Sequence, residues 1–78
     1  MELVLVTRRG CHLCDQALAL LRELGHEPQL ADVDADDELF RLYDWRVPVV
    51  LVHNAVIAEG KITRGPLEEA LRRSGREP

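Results

Sequence analysis

Two apolar runs near the start and the middle of this 78-residue chain limit what it can fold into. Residues 3–6, Leu3-Val4-Leu5-Val6, are uninterrupted and β-favouring. A run without polar alternation belongs to a strand covered on both of its faces. Residues 47–52, Val47-Pro48-Val49-Val50-Leu51-Val52, form the second such run. Between them, over residues 11–24, Leu13, Cys14, Ala17, Leu18, Leu20, Leu21 and Leu24 recur at spacings of three and four, with Asp15, Gln16, Arg22 and Glu23 opposite. That spacing predicts a helix with a wide buried face. Strands that need cover on both sides, alternating with helices able to supply it, imply an α/β fold with a central sheet.

The punctuation completes the order. Gly25 stops the first helix and Pro28 follows where a helix could not continue. Residues 29–33 read as a short strand, and Asp34-Ala35-Asp36 offers capping oxygens to a short helix over residues 37–43 whose inner face is Leu39, Phe40 and Tyr43. His53-Asn54-Ala55 forms a hairpin turn, from which residues 56–58 pair back. Gly65-Pro66 opens a last helix over residues 67–74, with Pro66 at its first position, Glu68 and Glu69 beside its positive end, Arg72, Arg73 and Arg76 by its negative end, and Gly75 closing it. The predicted order is β-α-β-α-β-β-α.

Length and charge bound the function. A chain this short buries only roughly 60 to 65% of its unfolded surface, so residues 1–78 are expected to form a single domain. Fourteen acidic against 10 basic residues leave a net charge of −4, and the basic ones are scattered, which argues against nucleic acid as a partner. The longest apolar run has Pro48 inside it and is too short to span a bilayer. The N-terminus carries no basic region followed by a long hydrophobic stretch, so the expected location is cytoplasmic, with no membrane partner.

Cys11 and Cys14 are the only cysteines. A bridge between them closes a loop worth about 2 kcal/mol on the chain-entropy estimate, against about 3 to 5 for loops of 15 to 100 residues. A structural framework needs longer spans, which leaves reactivity, metal binding or chance. Zinc takes about four ligands, and only Cys11, Cys14, His12 and His53 are candidates, with His12 in the same turn poorly aimed for a tetrahedron; iron–sulfur ligation would need a second chain. No metal is expected. The pair starts where the first strand ends and the first helix begins. Unpaired N–H groups and the positive end of the helix dipole favour an anion there, and cysteines so placed have pKa values lowered from about 8.5 into roughly the 3.5 to 7.5 range. Arg8 and Arg9, just upstream, add positive potential; His12 adds more when protonated; Asp15 opposes it from the solvated side of the helix. Cys11 is then the nucleophile, at the exposed tip. Cys14, on the inward face with Leu18 and Leu21, is the resolver. His26 and His53 read as solvated turn residues, and Trp45 as an aromatic partly packed at a sheet edge.

Cys11-His12-Leu13-Cys14 after a first strand, the β-α-β-α-β-β-α order and Arg46-Val47-Pro48-Val49-Val50 opening the third strand together resemble a glutaredoxin-like protein of the thioredoxin-fold superfamily, over essentially the whole chain. The resemblance implies a thioredoxin-like fold, a central four-stranded mixed sheet with three flanking helices. It implies a cis peptide bond before Pro48, which faces the cysteine pair, and a Val47 backbone that hydrogen-bonds an extended substrate or glutathione. The implied activity is thiol-disulfide oxidoreduction with Cys11 and Cys14 as catalytic residues and Arg8, Arg9, His12, Arg46, Val47 and Pro48 as substrate-binding ones. No bound cofactor is implied; glutathione or a protein reductase supplies electrons to a monomer whose partner is a disulfide-containing protein or glutathione.

The sequence departs from the usual glutaredoxin pattern at three places. His-Leu replaces Pro-Tyr between the cysteines, Arg46 replaces Thr before Val47-Pro48, and Ala58-Glu59-Gly60-Lys61-Ile62-Thr63 lacks the Gly-Gly/acidic segment that holds the γ-glutamyl end of glutathione. Arg8, Arg9 and Arg46 suit a glutathione carboxylate or an acidic protein segment equally well. Small redoxins reduced by thioredoxin reductase share the size and the missing segment, though not their tryptophan-containing segment after the third strand. A non-catalytic module that senses redox state or docks a protein is the remaining alternative.

Overall fold

Alternation along the two inner strands sorts their side chains onto opposite faces of one sheet. In the computed structural model, which describes residues 2–75, β1 (Leu3–Thr7) sends Leu3 and Leu5 to one side and Val6 to the other, and β3 (Val49–Val52) sends Val50 and Val52 one way and Val49 and Leu51 the other. The sheet has four strands in the order β2-β1-β3-β4, with β2 (Gln29–Asp32) parallel to β1, and β3 antiparallel to both β1 and β4 (Ala55–Glu59). Helices α1 (His12–Glu23) and α3 (Arg64–Ser74) cover the face of Leu3, Leu5, Val50 and Val52, burying Ala17, Leu21, Leu67 and Leu71 there. The other face takes Val33 and, less deeply, Leu39 and Tyr43 of α2 (Asp37–Tyr43). The expected fold class is therefore observed, with helices on both faces of a mixed sheet.

Several boundaries differ from expectation. Residue 33 leaves the second strand: after Asp32 the chain makes a 3₁₀ turn, Val33–Ala35, with the Asp32 side chain accepting from the Asp34 N–H at 2.9 Å, and Val33 is buried from that turn. Asp36 caps α2 as expected, accepting from the Leu39 N–H at 3.0 Å, but Phe40 is 46% exposed, and α2 buries no residue fully. Val47 and Pro48 precede β3 rather than belonging to it. The hairpin turn is two residues, His53 and Asn54, both at positive φ as a twist-matched turn requires, and Ala55 already starts β4. Helix α3 begins at Arg64, so Pro66 is its third residue, where a missing N–H still costs no helical bond, and Glu68 and Glu69 lie beyond the first turn. Glu69 instead pairs with Arg72 and Arg73. Gly25, at φ +89°, ends α1 with paired bonds from the Gly25 N–H to the Arg22 C=O and from the His26 N–H to the Leu21 C=O. Arg76 lies outside the described residues.

Candidate active site

The cysteine pair is placed by a tight turn. The Cys11 N–H donates to the Arg8 C=O at 3.1 Å, and Gly10 sits at φ +76° inside that turn, a conformation that side-chain-bearing residues adopt only at a cost. Cys11 is the N-cap of α1, with extended backbone (φ −86°, ψ 108°), and its Sγ accepts a hydrogen bond from the Cys14 N–H at 3.1 Å. This is the contact an N-cap side chain makes, with sulfur in the place of the usual oxygen. Cys11 is partly exposed and Cys14 only 2% exposed, packed on the inward side of α1. The two are joined as a disulfide, their Cα atoms 5.1 Å apart. Asp15 is exposed, on the polar side as expected.

The sheet register brings the third strand's entry to the same end. Val6 pairs with Val49 and Thr7 with Asp32, so the Val47–Pro48 bond lies beside the end of β1 from which the cysteine turn leaves. That bond is cis. Pro48 is buried, and its C=O accepts from the Gly60 N–H at 2.9 Å. Among the described residues neither the N–H nor the C=O of Val47 has a hydrogen-bond partner.

The arginines are arranged differently from what their sequence positions suggest. Arg8 forks onto both carboxylate oxygens of Asp34 at 2.9 Å each, also bonds the Asp44 carboxylate, and lies over the Phe40 ring with its guanidinium carbon 5.9 Å from the centroid. Arg46 forks onto Glu59 at 2.9 and 2.7 Å and stacks on Tyr43 at 5.2 Å. Hydrogen bonds from these arginines hold the Asp34 and Glu59 carboxyls below the usual carboxylate range, while Asp34 first and Asp44 second push the Arg8 guanidinium further up. Arg8 therefore adds little net positive potential at Cys11, its charge being answered by two carboxylates, and neither Arg8 nor Arg46 presents a free guanidinium to a ligand. Arg9 is exposed, with no ion pair among the described residues. His12 is exposed and turns along the helix, its Nε2 3.0 Å from the Gln16 amide nitrogen.

A family model described as a glutaredoxin-like domain (DUF836) matches residues 2–72. The chain belongs to that glutaredoxin-like family. Among solved structures, the chain is similar to a structural-genomics target protein, XcR50, from X. campestris, with a TM-score of 0.82 and 29% identity over 92% of this chain and 97% of that one. It shares its fold with the holo form of glutaredoxin C1 from Populus tremula x tremuloides, at a TM-score of 0.66 and 21% identity over 94% of this chain and 85% of that one. No curated protein matches. Family membership together with the joined Cys11–Cys14 pair supports a redox role.

On this glutaredoxin-like scaffold, sequence reasoning missed the acidic partners Asp34, Asp44 and Glu59, which lie 26, 36 and 13 residues from the arginines they bind. It also missed a shallow depression of about 350 Å³ beside Cys14, to which Thr7, Arg9, Asp15, Leu30 and Asp32 contribute. Trp45, expected at a sheet edge, is 95% exposed, two residues before Val47. Among the described residues no helix is long and apolar enough to cross a membrane, and no three His, Cys, Asp or Glu side chains are grouped to hold a metal ion.

Proposed function

We propose that the chain is a thiol-disulfide oxidoreductase working by a dithiol mechanism. In the reduced protein the Cys11 thiolate attacks one sulfur of a substrate disulfide; a mixed disulfide forms on Cys11 and the other substrate sulfur leaves as a thiolate. Cys14 then gives up its proton and attacks the Cys11 sulfur, closing the Cys11–Cys14 bridge and releasing the second substrate thiol. Two electrons pass from the pair to the substrate, and an external thiol, glutathione or a protein reductase such as thioredoxin reductase, restores the dithiol. The observation that carries this reading is the asymmetry of the pair: Cys11 is partly exposed and its sulfur accepts an amide hydrogen bond at the tip of α1, whereas Cys14 is almost wholly buried behind it. A hydrogen bond to the charged form of a thiol favours that form. The unpaired Val47 backbone beside the pair supports docking of an extended substrate there.

Cys11→Ser is expected to abolish reduction of a model disulfide, and Cys14→Ser to accumulate a mixed disulfide visible by mass spectrometry. Turnover by Cys11→Ser at the wild-type rate would overturn the mechanism. A coupled assay comparing glutathione and its reductase with thioredoxin and thioredoxin reductase then identifies the electron source.

A further inference from the structure

The chain's whole net charge lies in one stretch beside the proposed site. Residues 32–46 hold six carboxylates against two arginines, a balance of −4, and the chain as a whole carries −4. Arg8 reaches into this stretch but answers only one of the two carboxylates it binds there, and Arg46 is already answered by Glu59, so the surplus remains with both ion pairs in place. Asp36 and Asp37 are exposed within it. Next to last in the same stretch is Trp45, 95% exposed, with Leu42 three residues earlier 40% exposed. Large apolar side chains held in water beside an otherwise charged surface mark contact sites, and tryptophan is the residue most enriched among those that dominate interface energies. Two residues after Trp45 comes Val47, whose backbone has no partner among the described residues.

We infer that this stretch docks a protein whose disulfide is flanked by basic and aliphatic residues, with Trp45 as the apolar anchor and the surplus carboxylates steering the approach. The inference rests on the oxidoreductase reading and narrows its substrate to protein rather than glutathione. Glutathione carries two carboxylates and one ammonium, so this surface repels it, and of the three arginines suited to hold it Arg8 and Arg46 are engaged by Asp34, Asp44 and Glu59, which leaves Arg9 alone beside the cysteine pair. A lysine-bearing protein meets the opposite sign of potential.

The test uses prereduced full-length protein in single-turnover exchange with three probes: hydroxyethyl disulfide, a cyclic disulfide peptide with flanking lysines and leucines, and the same peptide with glutamates for lysines. The lysine peptide is expected to react about tenfold faster than the glutamate peptide at low salt, a gap that closes at high salt. Trp45→Ser is expected to slow the lysine peptide about tenfold, through weaker saturation rather than a lower maximal rate, and to leave hydroxyethyl disulfide unchanged. Equal rates for the two peptides, or an unchanged lysine peptide in Trp45→Ser, overturn the docking inference. Trp45 is the sole tryptophan, so its fluorescence reads docking without chemistry. A lysine peptide with serines for cysteines should change the emission saturably, and an emission that never changes overturns the inference. If hydroxyethyl disulfide fails to react with the wild type, the oxidoreductase reading falls, and the fluorescence titration still decides docking.

Discussion

Against one face of the sheet, α1 and α3 bury Leu21, Leu67 and Leu71 on Leu3, Leu5, Val50 and Val52; against the other, α2 buries nothing fully and rests Leu39 and Tyr43 on Val6, Val33, Val49 and Leu51. The first face is fastened mainly by removing leucine side chains from water, at about 1.5 to 3 kcal/mol for each one fully buried, with one exposed ion pair, Arg64 to Glu23, between α3 and α1. The second buries Val6, Val33, Val49 and Leu51 and adds to them partly exposed ion pairs, with Arg8 tying the 3₁₀ turn and the end of α2 to the end of β1, and Arg46 tying the loop after α2 to Glu59. The active-site candidates straddle this seam. The cysteines arrive on the apolar-packed helix α1, whereas Val47 and Pro48 arrive on the loop that follows α2.

The largest effect that could break this contrast is a core truncation. Leu21→Ala, at a position with no exposure, is expected to cost about 2 to 5 kcal/mol in urea denaturation. A loss far below that would mean the apolar face is not the main fastening. Acid should discriminate the two faces next. Arg8 and Arg46 hydrogen-bond the ionised Asp34 and Glu59, so these carboxyls release their protons more readily folded than unfolded. Their support is complete above the ordinary carboxylate pKa near ~4 and fades as the pH falls below it. Hydrogen-exchange protection, taken relative to the intrinsic rate at each pH, should therefore fall at pH ~3 in α2 and its following loop more than in α1, and Arg8→Gln should reproduce that pattern at neutral pH. An equal fall in α1 would remove the distinction. The smallest effect sharpens it from the other side: Trp45→Ser, with almost no packing to lose, is expected to leave stability within about 0.5 kcal/mol of the wild type.

Read from the chain alone, the elements whose cause is local came out in place. The three-and-four spacing of α1, its stop at Gly25 and the capping by Asp36 each depend on residues within a turn or two of one another, and so does the position of Cys11 at the helix tip, where its partner amide is three residues away. Two of the readings that moved did so because a neighbour decides. Val33 satisfies the apolar pattern of a strand but is buried from a 3₁₀ turn, and Phe40, apolar on a helix, stays half in water under the Arg8 guanidinium.

The amino-acid sequence by itself determined the α/β alternation, the junction that carries the cysteines and which of the two is buried, because apolar periodicity and helix ends act over a few residues. Only the tertiary structure decided that Arg8 and Arg46 serve as internal ties and that Trp45 faces solvent. A charged side chain takes whichever opposite charge the fold brings within about 3 Å, and here those charges lie 13 to 36 residues away along the chain.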